Sequence, residues 1–321
     1  MAKESFGARP RQLWVLLQRS LQEWGEDKAP RQAAALAYYS LFALGPLLVT
    51  CVFLAGLVFG VEAVSEAIAA QFGHLVGQEG ADALNDLMAG GMRKTGTAVG
   101  LAVGVTFLVL GAAGVFGQLR ESLNVMWEVQ EKTPKGWKAK LLTAMRRNFL
   151  GFAGILGVGF LLIIGLAFDA ALAAVALRAR DYLAGPDVVW FVASLVVTLA
   201  ILTAAFALMF KFLPNARVAW RDVAFGAFVT AFLFVVGQKL IGLYLAEAAT
   251  ATRYGAAGAV LVLLLWLYYS CLILLYGAEL TQVYANLYGQ KVRTTRRGEP
   301  LPEGIAKRQG RPEQEGTRGG S

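Results

Sequence analysis

The chain has 321 residues, of which 57% are hydrophobic and only 16% charged, with a net charge of +8 and a mean hydropathy of +0.54. Soluble domains carry roughly 25% charged residues, so this composition excludes a soluble globular protein and points to a polytopic helical membrane protein. A β-barrel is excluded by pattern, because barrel strands alternate over roughly 10 residues, whereas here continuous apolar runs reach the ~20 residues that cross about 30 Å of hydrocarbon.

Residues 1–31 are polar and charged, without the short apolar core and small-residue cleavage site of a signal peptide. The first apolar run is therefore expected to act as its own insertion signal. Within this segment, Trp14, Leu17, Leu21 and Trp24 recur at helical spacing. They predict an amphipathic helix, lying either on the membrane surface or against the protein's own loops.

Six apolar spans follow, at about 33–60, 97–119, 149–177, 188–210, 223–246 and 256–284. The predicted fold class is all-α, a bundle of six transmembrane helices filling residues 32–287. Gly45 and Pro46 sit about 20 Å into the first span, where a proline either bends the helix or serves as a hinge. Glycines crowd the second and third spans, as close helix packing or sliding helix surfaces would require. The loop 61–94 spaces Val61, Val64, Ile68, Phe72 and Leu75 as a half-buried helix over the outer face. Between spans four and five runs the hairpin KFLPNARVAWRD, residues 211–222. Pro214 stops one helix, Asn215 suits the turn, and Arg217, Trp220 and Arg221 suit a headgroup layer. Residues 288–321 are basic, rich in Gly and Pro and poor in apolar side chains, so a disordered tail is expected.

Lys/Arg bias sets the orientation. With the N-terminus inside, 24 of the 30 basic residues fall in the N-terminal segment, the second and fourth loops and the tail; five fall outside and Lys239 lies within a span. Both termini are expected in the cytoplasm, and the same rule accounts for the basic loops without a nucleic-acid partner.

Little in the chain points to catalysis. Cys51 and Cys271 lie in apolar runs and read as small packing residues. The one histidine, His74, falls in the outer loop, and there is no HxH, HExxH, paired-Asp or Walker motif. No catalytic residue, metal or cofactor is expected.

Ionisable residues inside a membrane are the default functional candidates. Three lie in the apolar runs: Asp169, Lys239 and Glu279. Counting along the helices places Asp169 and Lys239 near the outer interface, where Lys239 can snorkel, and Glu279 near the inner one. Tyr268, Leu272, Leu275 and Glu279 share one face of span six, with Tyr269 and Tyr276 beside it. Tyr38 and Tyr39 on span one, and Gln118 and Asn124 at the inner end of span two, lie at a similar depth. If they converge, they line a substrate vestibule in the inner half of the bundle, with Glu279 as its ionisable group. Otherwise the tyrosines belong to the aromatic belt or the core.

The stretches AAALAYYSLFALGPLLV, LRESLNVMWEV, KFLPNARVAWRDVAFGAF and RYGAAGAVLVLLLWLYYSCLILLYGAELTQVYA together resemble the YihY/BrkB family of bacterial membrane proteins over about residues 30–287. The resemblance implies six helices in the cytoplasmic membrane. Family members have carried the labels virulence factor and ribonuclease BN-like; the residues here give no support to the second. The function expected is transport or lipid handling without an ATPase, with membrane lipids as partners and self-association open. The alternative is a structural or assembly factor of the cell envelope.

Overall fold

The computed structural model describes residues 10–60, 62–66, 98–131, 136–137, 187–247, 255–289, 293–294 and 298–300. The third span, Asp169, His74 and most of the 61–94 loop lie outside these residues. The described part is mostly helical, with α1 at Pro10–Glu26, α2 at Ala29–Phe59 and α3 at Ala98–Met126. It continues with α4 at Asp187–Phe212, α5 at Trp220–Glu247 and α6 at Gly255–Leu287. Among the described residues, three stretches are long and apolar enough to cross a membrane: Val192–Phe212, Trp220–Leu240 and Leu263–Leu287. They coincide with the fourth, fifth and sixth spans.

The boundaries have local causes. Pro10 opens α1, and Pro30 lies in the first turn of α2, where its missing N–H has no helical partner to lose. Between the two helices Lys28 adopts φ 52°, a left-handed residue that ends one helix and starts the next. Glu128, at φ 55°, does the same after α3. Helix α2 runs on through Pro46 to Phe59. Asp222 stands in the first turn of α5, where the helix N-terminus favours a carboxylate.

The helices of the α5–α6 pair interlock. On α5, Thr230 lies one turn after Gly226; on α6, Thr281 lies one turn after Gly277. Thr281 fills the notch at Gly226, and Thr230 fills the notch at Gly277. Each hydroxyl donates to the carbonyl of the glycine on its own helix, Thr230 Oγ1 to Gly226 O at 2.7 Å and Thr281 Oγ1 to Gly277 O at 2.6 Å. The methyl groups can thus pack across the interface while no hydroxyl is left unbonded in an apolar layer. Gly237 makes the same kind of room for the Tyr269 ring and Ile273. Helix α3 approaches α2 through Gly111, whose added side chain would sit 3.2 Å from Ala43, and through Gly114, against the Tyr39 ring.

One apolar core joins these helices. Ala33, Leu36 and Ala37 of α2 meet Leu119, Leu123 and Met126 of α3, Phe206 and Phe210 of α4, Val223 and Ala227 of α5, and Leu275 and Ala278 of α6. Helix α1 docks separately: its buried Leu16 packs with Val283 and Tyr284 of α6, flanked by Phe225 of α5.

Four short strands complete the description: β1 at Val129–Glu131, β2 at Ala216–Arg217, β3 at Arg293–Thr294 and β4 at Gly298–Pro300. β1 pairs antiparallel with β4, and β2 with β3. Both late strands lie in the 288–321 stretch that composition marks as disordered, so that expectation fails at these five residues. Composition measures the capacity to bury side chains, whereas main-chain pairing needs none. The tail is tied to the loop after α3 and to the α4–α5 hairpin.

Candidate functional site

Glu279 lies eight residues before the end of α6, about 12 Å along its axis. It is wholly buried, as are Leu275, Ala278, Leu280 and Thr281 around it, and Gln282 is 2% exposed. Burying an ionisable carboxylate in an apolar bundle carries a penalty of several kcal/mol unless its surroundings compensate. The packing around this position must therefore supply that compensation.

A second polar group sits between α2 and α3. Gln118 Nε2 donates to Gln32 Oε1 at 3.1 Å and to Ser122 Oγ at 3.3 Å, and Ser122 Oγ donates to Gln32 Oε1 at 3.2 Å. Gln118 likewise lies about 12 Å from the C-terminal end of its helix. Asp27 and Asp222 are buried as well, and the Asp222 carboxylate packs against the backbone of Gly289 just past α6. Among the described residues, no group of three His, Cys, Asp or Glu side chains could hold a metal ion.

The tyrosines disperse rather than converge. Tyr38 is 58% exposed and Tyr39 45% exposed, the two rings meeting edge to face at 6.2 Å. Tyr38 also meets Phe42 at 4.8 Å. Tyr269 points its hydroxyl end into the Gly237 notch of α5. Tyr268 packs against the apolar core, and Tyr276 meets Trp24 of α1 edge-on at 6.4 Å. Asn124 is engaged elsewhere. Its Oδ1 accepts the Asn215 backbone N–H at 2.8 Å, holding the α4–α5 hairpin to the end of α3. Helix α1 packs along α6, with Leu16 against Val283 and Tyr284 and Trp24 against Tyr276. A surface concavity on α1, lined by Val15, Gln18, Arg19, Leu21 and Gln22, takes in no residue of α6.

The hairpin is closed by its own residues. Lys211 donates to the Val218 carbonyl and sits 5.2 Å over the Trp220 ring, which meets Phe212 edge-on. Pro214 is buried, whereas Arg217, Trp220 and Arg221 are exposed. Arg217 is also the register partner of Arg293 in the β2–β3 pair. Buried Asp27 and Gln282 were not among the residues singled out from the sequence. Each belongs to a segment that reads as an ordinary interfacial end, where polar and aromatic residues are commonplace.

A family model described as Virulence factor BrkB matches residues 20–301. A UPF0761 membrane protein of Pseudomonas paraeruginosa is 30% identical over 262 residues, which are 79% of this chain and 59% of that relative. One of Azotobacter vinelandii is 31% identical over 258 residues, again 79% of this chain and 59% of the relative. One of Idiomarina loihiensis is 31% identical over 224 residues, 68% of this chain and 72% of its own length. The chain thus spans about three fifths of the length of the Pseudomonas and Azotobacter relatives. No solved structure matches it. A match over most of the chain, relatives named as membrane proteins and apolar helices of spanning length agree: the protein is an integral membrane protein and belongs to the virulence factor BrkB family.

Proposed function

We propose that the protein is a six-helix transporter of the bacterial cytoplasmic membrane, with both termini in the cytoplasm and no catalytic chemistry of its own. Its cargo is a lipid or another envelope component, and Glu279 is the ionisable group at its centre. The observation that carries the reading is the complete burial of that carboxylate within a helix of spanning length. Ionisable residues inside membrane-spanning helices commonly mark a substrate or ion path. The arrangement corresponds to an occluded state. Helix α1 packs on α6 from Val283 and Tyr284 to Tyr276, past the level of Glu279, so movement of α1 would open a route from the cytoplasm toward Glu279. Membrane lipids are the partners, held at the inner face by Arg217, Trp220 and Arg221.

The dispersal of the tyrosines and the engagement of Asn124 favour a second reading, an envelope assembly factor that moves nothing and keeps Glu279 as part of a closed core. Native mass spectrometry of the protein released from gentle detergent, beside Glu279→Gln, separates the two. A defined lipid or metabolite retained by the parent and lost from the variant supports transport. A bare protein, or the same loose lipids on both, sinks the transport site and leaves the assembly reading.

A further inference from the structure

The β2–β3 sheet joins two segments whose only charges are positive. β2, Ala216–Arg217, lies in the α4–α5 hairpin, and β3, Arg293–Thr294, lies in the stretch that follows α6. Residues 211–221 contain Lys211, Arg217 and Arg221; residues 288–297 contain Lys291, Arg293, Arg296 and Arg297; neither stretch contains an Asp or a Glu. Asp222, the next residue along the hairpin, is buried and packs against the backbone of Gly289 at the end of α6. Lys211 is turned to the Val218 carbonyl and the Trp220 ring.

The register then sets like charges against each other. Ala216 pairs with Thr294, and Arg217 with Arg293. Positions directly opposite in an antiparallel pair share a face, with Cβ atoms about 4.5–5.5 Å apart, and like charges there disfavour the pairing. A sheet of two paired positions has few main-chain bonds to set against that repulsion. Ala216 is buried and Arg217 exposed, so the face that carries the two arginine positions is the outer one. An oxyanion on that face reverses the sign of the interaction. A phosphate group offers several acceptor oxygens and matches the fork of a guanidinium. A ligand that binds the paired arrangement and not the open one stabilises the pairing, and the pairing raises the affinity for the ligand by the same factor.

We propose that the β2–β3 junction is a phosphate-responsive clasp. A phosphate group held on the face of Arg217 and Arg293 fastens the segment after α6 to the α4–α5 hairpin, and its loss releases that segment. The phosphate belongs to a lipid headgroup or to a free phosphate compound, the chemistry recognised being the same. The clasp goes beyond the headgroup contact given to Arg217 above and does not depend on transport through Glu279.

The test is amide exchange, read by mass spectrometry, of the full chain in a neutral detergent and phosphate-free buffer. Sodium phosphate is added to one sample and sodium chloride, at matched ionic strength, to another. Protection of the β2–β3 amides is expected to rise with phosphate, by about tenfold at about ten times the dissociation constant, and not with chloride. Arg217→Gln should lose that rise. Arg293→Glu sets an acid opposite Arg217, so its pairing should be protected without phosphate and gain nothing from it. The same measurement in nanodiscs of phosphatidylcholine, with and without phosphatidylglycerol, separates the sources. A gain with phosphatidylglycerol identifies a headgroup, and a gain with free phosphate alone identifies a soluble phosphate compound. Equal gains with chloride reduce the effect to screening and overturn the site. Protection that neither phosphate nor phosphatidylglycerol changes, or a rise that survives in Arg217→Gln, overturns the clasp.

Discussion

Replacing Gly277 by alanine tests the interlock of α5 and α6. The added Cβ would overlap Thr230 Oγ1 and lie 2.7 Å from its Cγ2 and 2.8 Å from its Cβ, well inside ordinary contact. Two responses are open. The helices part, losing the close packing that drives helix association where no hydrophobic effect acts between them; or Thr230 changes rotamer and gives up its 2.7 Å bond to Gly226 O. Overpacking typically costs about 1–3 kcal/mol, and a lost hydrogen bond in a membrane bundle about 0.6 kcal/mol. Gly277→Ala should therefore destabilise by about 2 kcal/mol, whereas Thr230→Ala alone should lose under about 1 kcal/mol. The double variant removes the Oγ1 and Cγ2 overlaps but keeps a Cβ–Cβ approach of 2.8 Å, so it should recover part of the loss, with a coupling of about 1 kcal/mol. Equilibrium unfolding in mixed micelles titrated with denaturing detergent measures all three, and Gly226→Ala with Thr281→Ala repeats the cycle from the other side. A double variant as unstable as the sum of its singles would refute the reciprocal notch.

Asn124→Ala should cost about 1–3 kcal/mol by leaving the Asn215 N–H without its acceptor, and faster amide exchange confined to the 213–217 turn would report it. Lys211→Met removes the donor that closes the hairpin on Val218 O; a loss of about 1 kcal/mol is expected, read as a lower unfolding midpoint with unchanged helix content by circular dichroism. Truncation after Gly289 should strip exchange protection from Val129–Glu131 and Ala216–Arg217 while leaving α5 and α6 protected, since β3 and β4 are the partners lost. Unchanged protection at both loops would show that the strands do not form in solution.

Fourth, fifth and sixth spans are legible in the sequence because a run of apolar residues has one use at that length and composition. The burial of Glu279 follows less directly: counting along the helix gives its depth, but not that neighbouring helices cover it. The tyrosines show where periodicity stops. It places Tyr38, Tyr268 and Tyr276 on particular faces of their own helices, yet how each helix is rotated in the bundle depends on packing notches such as Gly237 and Gly114. Asn124 is legible as a polar residue near the C-terminal end of its helix. Its role is not, because the group it serves is a backbone amide 91 positions away, and every residue other than proline offers that amide. The β3 and β4 pairings leave no side-chain pattern at all.

Those pairings bear on how the protein is made. β1 waits about 170 residues for β4 to be synthesised. During synthesis the loop after α3 and the α4–α5 hairpin therefore stand without their strand partners while the helices are made one after another. Only when the ribosome has passed position 300 can the chain's last segment stitch the early loop after α3 and the later hairpin together. Joining these two loops is then a late step, and a bulky fusion placed a few residues beyond Pro300 would fall at the site of that step.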